Sequence, residues 1–270
     1  MTTFTIDFDF TGADQRAILQ ELQSGGYNLV AFKGAAGPSQ VTTGVPVWFV
    51  SSFVDMIGKA EIEYEPQYCV FVDGRQTIAA QTTLDYSNMS APVDLGTGLT
   101  MDSTGAFTVG GISGVPKGSI GLFNGRAATT KPVTVGLAGL VQGQYLPFCA
   151  FTLAPQGSII MTPLEQVLLM AAQLEVQSGN VQATLTAPGC MFEFTSQSTD
   201  FRLAIEPGDF AITSAPGGLP VTPVSSTSSV SQVNQIPSNR NAEARGSAAG
   251  QEGQAREPAR GRRGSGLRVF

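Results

Sequence analysis

Turn-forming residues recur about every 8–12 residues along most of this chain, and the segments between them are short, β-branched and aromatic. Few folds satisfy that spacing, because strands this short must pair with neighbours to satisfy their backbone groups. Residues 27–33 (YNLVAFK) and 45–53 (VPVWFVSSF) are such runs, each with a glycine just ahead of it, and residues 60–64 alternate strictly. Residues 68–72 (YCVFV) precede Asp73-Gly74 and then residues 76–84, the strongest hairpin signal here, since Asp-Gly accepts the positive φ of a type I′ turn. A second hairpin is expected from residues 99–101 and 106–109 around Asp102–Gly105, and a third from 133–141 and 145–153 around Gln142-Gly143-Gln144. Residues 119–123, closed by Asn124-Gly125, and residues 181–186, 191–195, 201–205 and 210–213 complete the set. The expected class is mainly β: an antiparallel β-sandwich or partly open barrel.

Two short helices are expected to close it at an end or edge. Residues 12–23 carry Ile18, Leu19 and Leu22 on one face, with Thr11 as cap and Gly25-Gly26 as stop. Residues 163–177 follow Thr162-Pro163-Leu164-Glu165, which has the form of a capping box with proline at the first helical position. Leu164, Val167, Leu168 and Ala171 then keep helical spacing on one face.

The pattern breaks near Ile212. Residues 216–238 are rich in Pro, Ser, Thr and Val, and 239–264 in Gly, Ala, Arg, Glu and Gln, too little apolar surface to offset chain entropy. The expected organisation is a β domain over 1–214 and a disordered tail over 215–270. Charge divides at the same place. The tail holds seven arginines and three glutamates, a net +4, which leaves −10 on the remainder of a chain whose total is −6.

There is no histidine, and only 13% of residues are charged. The first fact removes the commonest general base and metal ligand, and with them Ser-His-Asp triads and imidazole zinc sites. No phosphate loop, dinucleotide fingerprint or nucleophile elbow occurs. Neither cofactor nor metal is expected, and the chain reads as non-enzymatic. Cys69, Cys149 and Cys190 lie in apolar contexts without C-x-x-C spacing and read as buried thiols. Residues 1–10 lack a basic region followed by an apolar one, so the expected location is the cytoplasm, or release without a classical signal.

Five features invite a functional reading. Glu61, Glu63 and Glu65 project from one face of a strand, where carboxylates could hold a hard cation, do acid–base work on a glycoside, or simply be solvated. Asp7 and Asp9 alternate with Phe8 and Phe10 in the same manner. Tyr64, Tyr68 and Tyr86, if exposed beside those glutamates, would form a surface for sugar or cationic partners. Residues 132–164 carry no charge, and two strands of about 9–11 residues could cross a bilayer as a hairpin. In the tail, Arg260, Arg262 and Arg263 resemble short RG tracts that touch RNA or anionic lipid.

The preferred reading is therefore a non-catalytic binding or self-assembly protein whose partner is another protein, a glycan or itself. The acidic body argues against nucleic acid except through the tail. A leaderless membrane-active or pore-forming protein using hairpin 132–164 is the first alternative. A glycoside hydrolase working with carboxylates alone is the second, and a coat or assembly protein with a basic tail the weakest.

Overall fold

The computed structural model describes residues 2–235 except Thr42 and Ser87. In chain order the elements are β1 (Phe4–Asp9), α1 (Ala13–Ser24), β2 (Asn28–Ala36), β3 (Val45–Pro46), β4 (Phe49–Ser52), a 3-10 turn (Phe53–Asp55), β5 (Lys59–Asp73), β6 (Asn88–Met89), β7 (Gly98–Met101), β8 (Phe107–Val109) and β9 (Ile120–Asn124). They continue as β10 (Val133–Val141), β11 (Gln144–Pro147), β12 (Phe151–Leu153), β13 (Ser158–Ala172), β14 (Val181–Gln182), β15 (Gly189–Glu193), β16 (Asp200–Ile205), β17 (Ile212–Ser214), β18 (Thr222–Val224) and a second 3-10 turn (Val230–Asn234).

The chain is mainly β. One sheet runs β11-β10-β5-β1-β16-β17, with β12 on β10 and β6 on β5; another runs β18-β15-β13-β9-β7-β8, with β2 on β13 and β4 on β2. Both are mixed, because β1 pairs with β16 and β7 with β9 in parallel. A purely antiparallel arrangement is therefore corrected: β1 and β16 lie far apart in sequence and β7 and β9 are joined across β8, pairings that turn chemistry cannot announce.

One apolar cluster serves both sheets. Phe4, Ile6 and Phe8 of β1 meet Val167, Leu169 and Ala171 of β13 within it, together with Ile18, Leu19 and Leu22 of α1. In the first sheet the alternate residues Thr5, Asp7 and Asp9 face outward, so β1 shows the alternation of a strand with one wet face. The centre of the second sheet is covered on both sides. Val30 and Phe32 of β2 and Leu168 and Met170 of β13 belong to a separate cluster with Val224, Val230 and Val233.

That double burial explains the principal correction. Residues 163–177 do not form a helix; Ser158–Ala172 is one long strand. The stretch VLLMAA is buried on both faces, and a continuous apolar run satisfies helical spacing as readily as strand spacing. Thr162 caps nothing: its hydroxyl pairs with that of Ser119 at 2.7 Å. The other expected helix forms with the expected inward face, although Gly12 rather than Thr11 is its N-cap.

The expected hairpins fare differently. β7 and β8 pair around Asp102, whose carboxylate accepts the N–H groups of Thr104 and Ala106 at 2.8 and 3.0 Å. β10 and β11 pair around Gln142 and Gly143, at φ 49° and 75°, the two positive values of a type I′ turn. The Asp73-Gly74 hairpin is absent. Asp73 instead takes the N–H groups of Arg75 and Asp85 at 2.9 and 2.8 Å, and the end of β5 pairs with β10 on one side and with β6 on the other.

The domain boundary also moves. Residues 215–235, expected to be disordered, supply β18 on the edge of β15 and a 3-10 turn whose Val230 and Val233 are fully buried. A sparse set of valines suffices here because each one seats against an apolar sheet face already in place. The remainder of the expected tail, 236–270, lies outside the described residues, and Arg260, Arg262 and Arg263 with it.

Candidate functional site

Two groupings of polar side chains stand out, one inside the core and one on the outer face of the first sheet. The inner one begins with a strand irregularity. The β5–β10 register shifts where Tyr68 lies opposite Gly139 and Glu65 opposite Leu140, leaving Pro66 and Gln67 as a bulge. Tyr64 and Tyr68, about 13 Å apart on a regular strand, are thereby drawn together, and their hydroxyls sit 2.8 Å apart. Both rings are buried.

The β2–β13 register shifts likewise between Pro163 and Val167, and this brings Glu165 to the same point. Its Oε1 accepts the hydroxyls of Tyr68 at 2.7 Å and Tyr64 at 3.2 Å. Its Oε2 accepts Lys33 Nζ at 2.6 Å, and the same Nζ donates to the Leu164 carbonyl at 2.7 Å. Lys33 has no solvent contact. Its ammonium lies 4.6 Å from the Tyr64 ring centroid and 5.6 Å from those of Trp48 and Phe148. Burial pulls the lysine pKa down, against the pull of Glu165. Burial pushes Glu165 up, but Lys33 and the two phenols outweigh it and hold the carboxyl below its usual range. Both phenol pKa values are raised, first by burial and then by neighbouring Glu165 and, for Tyr64, by Tyr68.

The outer grouping follows from β alternation. Asp7 lies opposite Glu61 on β5 and Arg202 on β16, and Thr5 opposite Glu63 and Asp200. Asp9 is ion-paired to Lys59 at 3.7 Å and Arg202 to Asp200 at 4.0 Å. A groove of about 440 Å³ runs across this face, lined among others by Asp7, Asp9, Glu61, Lys59, Arg202 and Gln15. Asp7 Oδ1 is shielded from solvent and has no hydrogen-bond partner among the described residues. Burial raises the Asp7 pKa to about 6, helped by Asp200 and Glu61 and opposed by Arg202.

The expected tyrosine surface does not form. Tyr64 and Tyr68 are in the core, while Tyr86 is half-buried elsewhere, against Phe71. Glu61 and Glu63 are exposed on the outer face, and half-buried Glu65 bonds the Gln67 amide at 2.7 Å instead. The first strand of the charge-free stretch lies inside the first sheet, while β11 forms that sheet's edge. β10 is buried at every residue but Leu140: β5 pairs along one edge and β11 and β12 along the other, and Val133, Val135, Leu137 and Val141 pack into the main core cluster. Among the described residues no helix is long and apolar enough to cross a membrane, and no group of three or more cysteine and acidic side chains is arranged around a metal position. All three cysteines are free and buried, and burial raises each thiol pKa, that of Cys69 to about 11 and that of Cys149 to about 12.

Lys33 and Glu165 are the residues that reading the sequence missed. The only signal was a lysine inside the apolar run YNLVAFKG and a lone glutamate ending a charge-free stretch; a charge with apolar neighbours on both sides needs a buried partner. No family model, curated protein or solved structure matches the chain.

Proposed function

We propose that this protein works by binding, without catalysis, and that its working surface is the acidic outer face of the first sheet. The two sheets are read as the layers of an open sandwich, with that face turned to solvent. The observation that carries the reading is the groove holding Asp7: several carboxylates surround it, only Lys59 and Arg202 offset them, and Asp7 Oδ1 lacks a partner. Burial is the chief cause of the Asp7 pKa of about 6, with Asp200 and Glu61 adding negative potential, and a cationic group entering the groove would favour the ionised carboxyl. The fitting partner is a protein segment rich in lysine or arginine. Calorimetric titration with octalysine at low salt is expected to show binding that weakens steeply as salt rises. Paired Asp7→Asn and Asp200→Asn substitutions should abolish it, and Asp94→Asn, elsewhere on the surface, should leave it intact. Absence of binding at low salt, or indifference to the paired change, would overturn the reading.

The carboxylate-only glycosidase remains as a second reading for one reason. Asp7 with a pKa of about 6 beside Glu61 in one groove has the form of a protonated acid next to a second carboxyl. Turnover of aryl glycosides by the wild type, lost in Asp7→Asn, would favour it over binding; no turnover across a panel would remove it.

A further inference from the structure

We propose that Lys33 and Glu165 condense spontaneously into an amide that cross-links β2 to β13. The argument starts from the way the two oxygens of one carboxyl group are occupied. Oε2 is held by the amine of Lys33 at 2.6 Å, while Oε1 is held by two phenol hydroxyls, Tyr68 at 2.7 Å and Tyr64 at 3.2 Å. A nucleophile therefore sits on one side of the carboxyl, and a pair of O–H donors on the oxygen that would carry negative charge once the nucleophile adds. Two donors already in place on that oxygen are what lowers the barrier of acyl transfer, and the amine is held in contact with the same carboxyl group.

The surroundings supply the second requirement. In water an ammonium does not surrender its proton to a carboxylate, since about 6 pKa units separate them. Here Lys33 is fully buried and boxed by the rings of Trp48, Tyr64 and Phe148. Burial lowers the lysine pKa and so makes the free amine easier to reach than in water, while Lys33 and the two phenols keep the Glu165 carboxyl low, so the proton passes to Oε2 only transiently.

The step balances without any co-reactant. Nζ passes one proton to Oε2 and becomes a free amine. Its lone pair forms a bond to Cδ, and the Cδ–Oε1 π pair moves onto Oε1, where the two tyrosines hold it. The tetrahedral centre collapses, Oε2 takes a second proton from Nζ and leaves as water, and the C=O to Oε1 is restored. The ammonium and carboxylate become one neutral amide and one water molecule. The water has an exit, because Glu165 keeps 25% of its side chain in contact with solvent. The product removes two charges from the core and ties together the central strands of the second sheet.

The test reads the full chain by denaturing mass spectrometry. The expected mass is one water below that of the sequence, and peptide mapping should recover a branched fragment joining Lys33 to Glu165, with trypsin unable to cut after Lys33. Glu165→Ala should restore the full sequence mass whether or not it folds. Tyr68→Phe should lower the cross-linked fraction in freshly made protein while the ion pair stays possible. A full-mass wild type whose Lys33 acetylates freely once denatured would show a salt bridge only and overturn the proposal. A lost water that maps to Asp73-Gly74, which can cyclise to a succinimide, would overturn it equally.

Discussion

Asp7 ties stability to pH with a defined sign. Its carboxyl titrates near 6 in the folded chain, against 3.8 as the ordinary value. Between those two values the folded state holds a proton that the unfolded chain has released, so stability falls as pH rises through this window and levels off above it. Asp7→Asn is accordingly expected to raise the urea midpoint at pH 7, to leave it nearly unchanged below pH 4, and to flatten the slope between; urea melts across that range check all three. Asp73 behaves oppositely. Burial pushes it up, but the Arg75 side chain and the N–H groups of Arg75 and Asp85 outweigh burial and hold its pKa below 3.8. Its contribution is present at neutral pH and is lost as pH falls through the carboxylate range. Asp73→Ala should cost about 1.5–3 kcal/mol at pH 7, the range for hydrogen bonds to a charged group, and much less in acid.

At the scale of elements, the strand β13 and the chain that crosses it decide the second sheet. The 3-10 turn Val230–Asn234 lies so close to β2 that a Cβ on Gly34 would fall 2.0 Å from the Val233 carbonyl oxygen. Asn234 Oδ1 also accepts the Ala35 N–H at 3.0 Å, and the Gln166 amide, suitably oriented, donates to the Val233 and Gln235 carbonyls at 3.0 and 2.7 Å. Gly34→Ala is therefore expected to lift the turn away from the sheet. Hydrogen exchange should show protection lost at residues 230–235 and kept in β1 and β5. Unchanged protection at the turn would mean that β2 yields instead. This tightness was invisible in the sequence, where Gly34 reads only as the end of a strand and Val230 and Val233 as part of a polar, unpatterned stretch.

For the whole molecule, the edge of the folded unit lies at Gln235 and not at Ser214. Ending the chain at Ser214 removes Val224, Val230 and Val233, and burial of a valine contributes about 1.5–3 kcal/mol. Against a usual total of about 5–15 kcal/mol, that truncation should lower the melting temperature markedly or unfold the protein. Ending it at Gln235 should leave the melting temperature in place while the net charge moves from −6 to −10. Calorimetry on the two truncated chains distinguishes the boundaries directly, and equal behaviour of the two would restore the shorter domain.

What the sequence determined by itself is local. Alternation and turn chemistry are short-range properties, so the β class, the hairpins at Asp102 and at Gln142-Gly143, the inward face of α1 and the outward row Asp7, Asp9, Glu61 and Glu63 were legible. Which strands lie side by side is set by contacts between residues far apart in the chain. Only the tertiary structure could decide that VLLMAA is a strand buried on both faces rather than a helix, since either period fits a run with no polar residue to break the tie. The same holds for the core site. Lys33, Glu165, Tyr64 and Tyr68 come from three strands and meet only because two bulges displace their backbones, and a bulge is a consequence of pairing that no single strand's sequence displays.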